Sequence, residues 1–104
     1  MSIETEVLWL DEHRVVSLSE LIELSGMREA ELLELVHSGA LQVRDVGGGY
    51  SFSASMITVA RTASRLRDDL ELDTRALSVA LKLLERVRDL ETEITRLRAL
   101  LPRS

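Results

Sequence analysis

Cysteine is absent from the 104 residues. That removes a disulfide framework, thiol catalysis and cysteine-ligated zinc together. Aromatic residues are scarce, with one Trp, one Tyr and one Phe, so any core must be built mainly from aliphatic side chains. Proline occurs once, at position 102, and lysine once, at position 82. No apolar stretch approaches the roughly 20 residues that a membrane span needs. The N-terminus offers no basic run followed by an apolar core, so a secretory signal is not evident. The expectation is a cytoplasmic protein with no membrane partner.

The groups that catalysis needs are missing as well. The histidines are His13 and His37, without a short ligand spacing between them. His37 precedes Ser38-Gly39 at a helix end, where the helix dipole favours a cation. Ser17, Ser19 and Ser25 have capping or turn roles to explain them. Gly47–Gly49 lacks the following Lys-Ser/Thr and the helix start of a phosphate loop. An enzyme needs a nucleophile, base or metal set within mutual reach. The chain is therefore expected to be non-enzymatic, with no catalytic residue, no metal and no cofactor.

What is present is a Leu-rich chain, 45% hydrophobic and 30% charged, a composition that argues against wholesale disorder. The length suits one domain, or one domain with a helical appendage. A chain this short buries only roughly two-thirds of its unfolded surface, so an oligomer interface could matter to its stability.

Residues 1–12 mix polar and apolar side chains without a clear period. His13–Ser17, containing Val15-Val16, reads as a short strand. Ser17 or Ser19 can cap a helix running to about Ser25, which presents Leu18, Leu21, Ile22 and Leu24. Gly26 supplies a turn, and a second helix over about Arg28–Ser38 buries Leu32, Leu35 and Val36 at helical spacing. Gly39 suits a left-handed cap. Leu41–Val46 and Tyr50–Ser53 flank Gly47-Gly48-Gly49 and read as a β-hairpin.

Two short helices about a glycine turn, followed by a hairpin, form a winged helix-turn-helix. From Ser55 to about Leu70 a third helix turns Met56, Ile57, Val59, Ala60, Ala63, Leu66 and Leu70 inward. Asp73 is a good N-cap for a final helix from Thr74 to about Leu101, and Pro102 discourages its continuation. The predicted fold class is mainly α: a winged helix-turn-helix with a small β-hairpin and a long C-terminal coiled-coil helix. Residues 1–72 form the winged domain with its following helix, and residues 73–104 the long helix.

That last helix carries an unbroken heptad. With Ala80, Val87, Ile94 and Leu101 at position a, Ala76, Leu83, Leu90 and Leu97 fall at d, all of them apolar. Arg86 and Glu93 lie at g, Glu91 and Arg98 at e. These charges match in a parallel dimer and can match in an antiparallel one. Leu83, Val87, Leu90, Ile94, Leu97 and Leu101 are the expected homodimer contacts. A second seam, Leu77, Leu81 and Leu84, occupies another face of the first half only. The first half should therefore pack on the domain and the second half on a partner chain.

Charge divides unevenly along the chain. Residues 1–54 hold ten acids against three bases, a net −7, whereas residues 55–104 carry +2. An acidic N-terminal half repels nucleic acid and suits a basic protein partner. The second helix, where a helix-turn-helix protein reads DNA, carries Glu29, Glu31 and Glu34 against Arg28 alone. Three carboxylates facing a polyanion oppose docking. Arg61, Arg65 and Arg67 could touch phosphate, yet Asp68 and Asp69 follow at once.

The acidic winged helix, the run R-L-R-D-D-L-E-L-D-T-R-A-L-S-V-A-L-K-L-L over Arg65–Leu84 and the coiled-coil tail together resemble the bacterial chaperone modulator CbpM family. That family is itself similar to MerR-type regulators. The resemblance covers roughly residues 13–101. It implies a protein that binds the J-domain of a DnaJ-like co-chaperone of the CbpA type and inhibits its stimulation of the Hsp70 DnaK. J-domains present a basic helix to an acidic Hsp70 surface, so an acidic modulator would compete for that helix.

The candidate contacts are Glu29, Glu31 and Glu34 on the second helix, with Asp68, Asp69 and Glu71 at the helix junction. Arg65 and Arg67 suit either a partner contact or internal bridges to nearby acids. Gly49-Tyr50-Ser51-Phe52 stands where a MerR wing typically has Gly-Tyr-Arg, so a phosphate-contacting arginine is missing. The alternative reading is a small MerR-like DNA-binding transcription regulator, its basic surface assembled from Arg61, Arg65 and Arg67 across a dimer. A third is a dimeric adaptor for some other basic protein.

Overall fold

The computed structural model describes residues 14–44 and 47–102. The described chain runs β1 (Val15–Ser17), α1 (Leu18–Ser25), α2 (Glu29–His37), β2 (Ser51–Ser53), α3 (Ser55–Leu70) and α4 (Thr74–Leu100). His13, placed at the head of the first strand by the sequence, lies outside the described residues.

Two of the four described helices, α1 and α4, begin at a side-chain cap. Ser17, and not Ser19, caps α1: its hydroxyl accepts from the Glu20 amide at 3.1 Å, and the Glu20 carboxylate accepts from the Ser17 amide at 2.9 Å. This reciprocal box satisfies two amides that the first turn leaves without partners. Gly26 ends α1 at φ +79°, and a Cβ there would meet the Ser64 hydroxyl of α3 at 3.2 Å. Both the left-handed backbone and the close approach require glycine. Asp73 caps α4, accepting from the Ala76 amide at 2.8 Å.

The two strands pair antiparallel, with Val16 opposite Phe52. Both side chains are buried, so one face of this small sheet supplies the core beneath α1 and α3. The strand before the glycines is the point at which structure and sequence reading part. Ser51–Ser53 pairs with Val15–Ser17, and the described part of the expected strand, residues 41–44, forms no strand.

The physical reason lies at the end of α2. The amides of Ala40 and Leu41 both donate to the Leu35 carbonyl, and Leu41 is buried. The start of the expected strand is thus spent closing α2. A cross-link of the wing type joins the Arg44 amide to the Ser51 carbonyl at 2.8 Å. Asp45 and Val46 lie outside the described residues.

The core joins Leu21 of α1, Met27 in the turn, Leu32 and Leu35 of α2, Phe52, Ile57, Ala60 and Ala63 of α3, and Leu77 and Leu81 of α4. Alanines at 60 and 63 let the helices approach closely. Met56, Val59 and Leu66 lie at its margin. Leu70, expected inward, is 62% exposed, because α3 has run past the core by its last turn. Leu77 and Leu81 carry the core into α4, beyond the residue 72 boundary. The buried Ser78 donates to the Ser38 hydroxyl at 2.7 Å, which in turn donates to the Leu35 carbonyl at 3.1 Å. This chain of hydroxyls ties α4 to the end of α2.

Candidate functional site

Helical spacing gives α2 two faces. Leu32 and Leu35 are buried, while Glu29, Ala30, Glu34 and His37 are exposed. The outward face of the second helix therefore presents two carboxylates and, at its C-terminal end, a histidine. Arg28 stands exposed just before the first turn.

Glu31 sits elsewhere. It is buried at the inner edge of α2, where its carboxylate accepts from the Arg28 amide at 3.0 Å and pairs with the Arg28 guanidinium at 3.2 Å. Arg67 reaches across from α3 to the same carboxylate at 2.7 Å. Burial alone would push the Glu31 pKa up. The hydrogen bonds from Arg28 and the charges of Arg67 and Arg28 outweigh it and hold the pKa below the ordinary glutamate value.

Arg67 also donates to the Gly26 carbonyl and the Ser64 hydroxyl, each at 3.3 Å, and to Asp68 at 2.9 Å. One guanidinium thus fastens the helix-turn-helix turn to α3. Of the two uses open to Arg67 in the sequence, the structure shows the internal bridge. Arg61 is engaged too, its Nε donating to the Leu24 carbonyl at 3.0 Å. Arg65 is exposed.

The junction acids Asp68, Asp69 and Glu71 are all exposed. Arg67 brings the two acidic groups together, since it bonds Glu31 of one and Asp68 of the other. Glu71 adopts φ +53°, a left-handed backbone, where α3 ends. Nothing in the residue type foretells this, because that position favours glycine or asparagine. Glu71→Gly should stabilise the fold by about 1 kcal/mol, read as a thermal midpoint raised by a few degrees. If Glu71 contacts a partner, the same variant binds it less well while melting higher.

The seam on α4 stands open. Leu83, Val87, Leu90, Ile94, Leu97 and Leu101 each leave about half or more of their surface in solvent. Ala76 and Ala80, nearer the domain, are half-buried. Glu93, at a flanking position, pairs with Arg96 one turn on. A contiguous apolar stripe this long on one helix face marks an interaction surface.

Among the described residues no cluster of three or more His, Asp or Glu side chains could hold a metal ion, and no helix is long and apolar enough to cross a membrane. Comparison with curated proteins gave no match. The family described as MerR HTH family regulatory protein matches residues 16–99, a span that takes in the described strands and helices except Val15 and Leu100 at its two ends. The chain belongs to the MerR helix-turn-helix family of regulatory proteins.

Proposed function

We propose that the protein is a non-catalytic modulator of the CbpM type. It acts in the cytoplasm as a homodimer paired through α4. It binds the J-domain of a CbpA/DnaJ-like co-chaperone and blocks stimulation of the Hsp70 DnaK. One observation carries this reading. The helix that would enter a DNA groove turns Glu29 and Glu34 outward, while Arg61 and Arg67, two of the three arginines that could touch phosphate, are bonded within the chain.

A surface of this kind repels a polyanion and attracts a basic helix. Opposite charge speeds the encounter and sets orientation, and a few buried apolar contacts hold the complex. Glu29, Glu34, Asp69 and Glu71 are the acids free to meet a partner in this scheme. Glu31 is occupied at the base of α2, so it serves the fold.

J-stimulated ATP hydrolysis by Hsp70 provides the test. The wild type should suppress the stimulated rate and leave the basal rate unchanged, and excess Hsp70 should relieve the block. Glu29→Lys with Glu34→Lys should weaken J-domain binding about tenfold, ~1.4 kcal/mol, if α2 makes the contact. Asp69→Lys with Glu71→Lys should do so if the junction does. Association should slow as salt rises, since screening shortens the reach of charge to about 10 Å at 0.1 M. Absence of binding to every J-domain encoded in the same genome ends the proposal.

The family match is equally compatible with the second reading, a small DNA-binding regulator. A genomic selection that enriches one reproducible operator, bound in the nanomolar range near physiological salt, would establish that reading instead.

A further inference from the structure

The open seam on α4 is wider than its a and d residues. Val79 and Leu100, 58% and 69% exposed, stand at g positions beside Ala80 and Leu101. In chain order the four g residues are Val79, Arg86, Glu93 and Leu100. On a second helix running the opposite way they match one to one, apolar with apolar and cation with anion. Glu93 is already paired with Arg96 on its own helix, so the partner's Arg86 would extend that pair across the seam.

Side-chain size selects the same orientation. In an antiparallel pair each a residue packs beside a d residue of the other helix. With Val87 level with the partner's Leu90, Leu83 meets the partner's Ile94, Ala80 the partner's Leu97 and Ala76 the partner's Leu101. Each small side chain near the domain then receives a leucine, and large and small alternate across the seam. A parallel pair would set alanine on alanine at positions 76 and 80, leaving two layers underfilled. Charge alone does not choose, because opposite signs match in both orientations. The antiparallel register also brings the end of the partner helix to a shallow cleft between α2 and α4. Glu34 and His37 line this cleft from α2, and Arg75 and Val79 from α4.

We infer that α4 pairs antiparallel with a second copy, Val87 level with the partner's Leu90, and that the partner's Leu100 and Leu101 close over Val79 and Ala76 beside this cleft. The acidic face of α2 then borders the other copy, so both chains build the surface offered to a basic partner. This inference rests on the homodimer proposed above and adds its orientation and register.

Single cysteines, introduced into a full-length chain that has none, read the orientation. Ala80→Cys alone and Leu97→Cys alone should stay uncross-linked under oxidation. In the antiparallel pair each would stand 17 residues from its own copy, about 25 Å along the helix, beyond the roughly 7 Å between Cα atoms that a disulfide spans. Refolded together, the two variants should form a cross-linked heterodimer. Charge exchange keeps the test decisive where a cysteine variant fails to pair. Arg86→Glu should weaken the dimer about tenfold by opposing carboxylates at two places. Adding Glu93→Arg should restore it, because positions 86 and 93 face each other only in the antiparallel pair. In a parallel pair Arg86 meets the partner's Glu91 and Glu93 the partner's Arg98, so the double exchange would weaken the dimer further. Self-cross-linking of Ala80→Cys, or a double exchange weaker than the single one, overturns the orientation and leaves the dimer standing. A mixture that does not cross-link overturns the register. A wild type that light scattering finds monomeric removes the homodimer and this inference with it.

Discussion

With lysine at both positions 90 and 94, the protein should be a monomer. Leu90 and Ile94 stand at consecutive d and a positions of α4, each 47% exposed in the single chain. In the proposed dimer both would be buried against the partner helix. Each substitution removes an aliphatic contact worth roughly 2 kcal/mol or more and places an ammonium where pairing would strip its water. Two sites in each of two copies should weaken association by at least about a thousandfold. The domain itself should survive, because its core ends near Leu81 and neither residue touches it. Light scattering should give dimer mass for the wild type and monomer mass for the double variant. A wild type that is monomeric at high micromolar concentration removes the dimer from the proposal.

Arg67→Met should destabilise the helix-turn-helix strongly. The Glu31 side chain is only 8% exposed, and Arg67 supplies its shortest ion pair. Removing one partner of a buried pair leaves a charge without full compensation, typically at 3–5 kcal/mol. Arg28 remains as a second partner, so a loss of about 3 kcal/mol is expected. In a domain of this size that lowers the thermal midpoint by roughly 12–20 °C. Arg67→Lys should lose less than Met but more than a surface change, because an ammonium cannot match the several directions in which the guanidinium donates.

Acid provides an independent check on the same pair. The Glu31 pKa is held below its unfolded value. Its stabilising contribution is therefore complete above the unfolded glutamate pKa and disappears as pH falls through the folded one. Glu31→Gln should be less stable at neutral pH and lose less on acidification. Glu20 and Glu93 keep part of that dependence, since the Ser17 amide and the Arg96 side chain hold them low as well. A Glu31→Gln variant with the wild-type acid profile would show that the ion pair contributes nothing.

Local chemistry was legible wherever a few neighbouring residues decide it. The Asp73 cap, the choice of Ser17 or Ser19 before α1, the Gly26 turn and the helices after them follow from hydrogen bonds within four residues of one another, and the structure selects Ser17. The heptad on α4 is equally local, because its period alone separates the stripe ending in Leu101 from the second seam at Leu77 and Leu81. The acidic character of α2 could also be counted, but which acids face outward could not. Glu29 and Glu34 face solvent, whereas Glu31 is drawn inward by an arginine 36 residues away.

The sequence by itself determined the helical elements, the Asp73 cap, the glycine turn and the apolar stripe, because each depends on periodicity or on side chains reaching their own backbone. Only the tertiary structure decided the partner of Ser51–Ser53, the fate of Arg67 and the exposure of Leu70. Strand pairing across more than thirty residues depends on which carbonyls are already occupied, and the closure of α2 by Ala40 and Leu41 takes that stretch out of the sheet. The same holds for charge. Arg67 would be a phosphate contact or a structural bridge according to what lies opposite it, and the fold places Glu31 there.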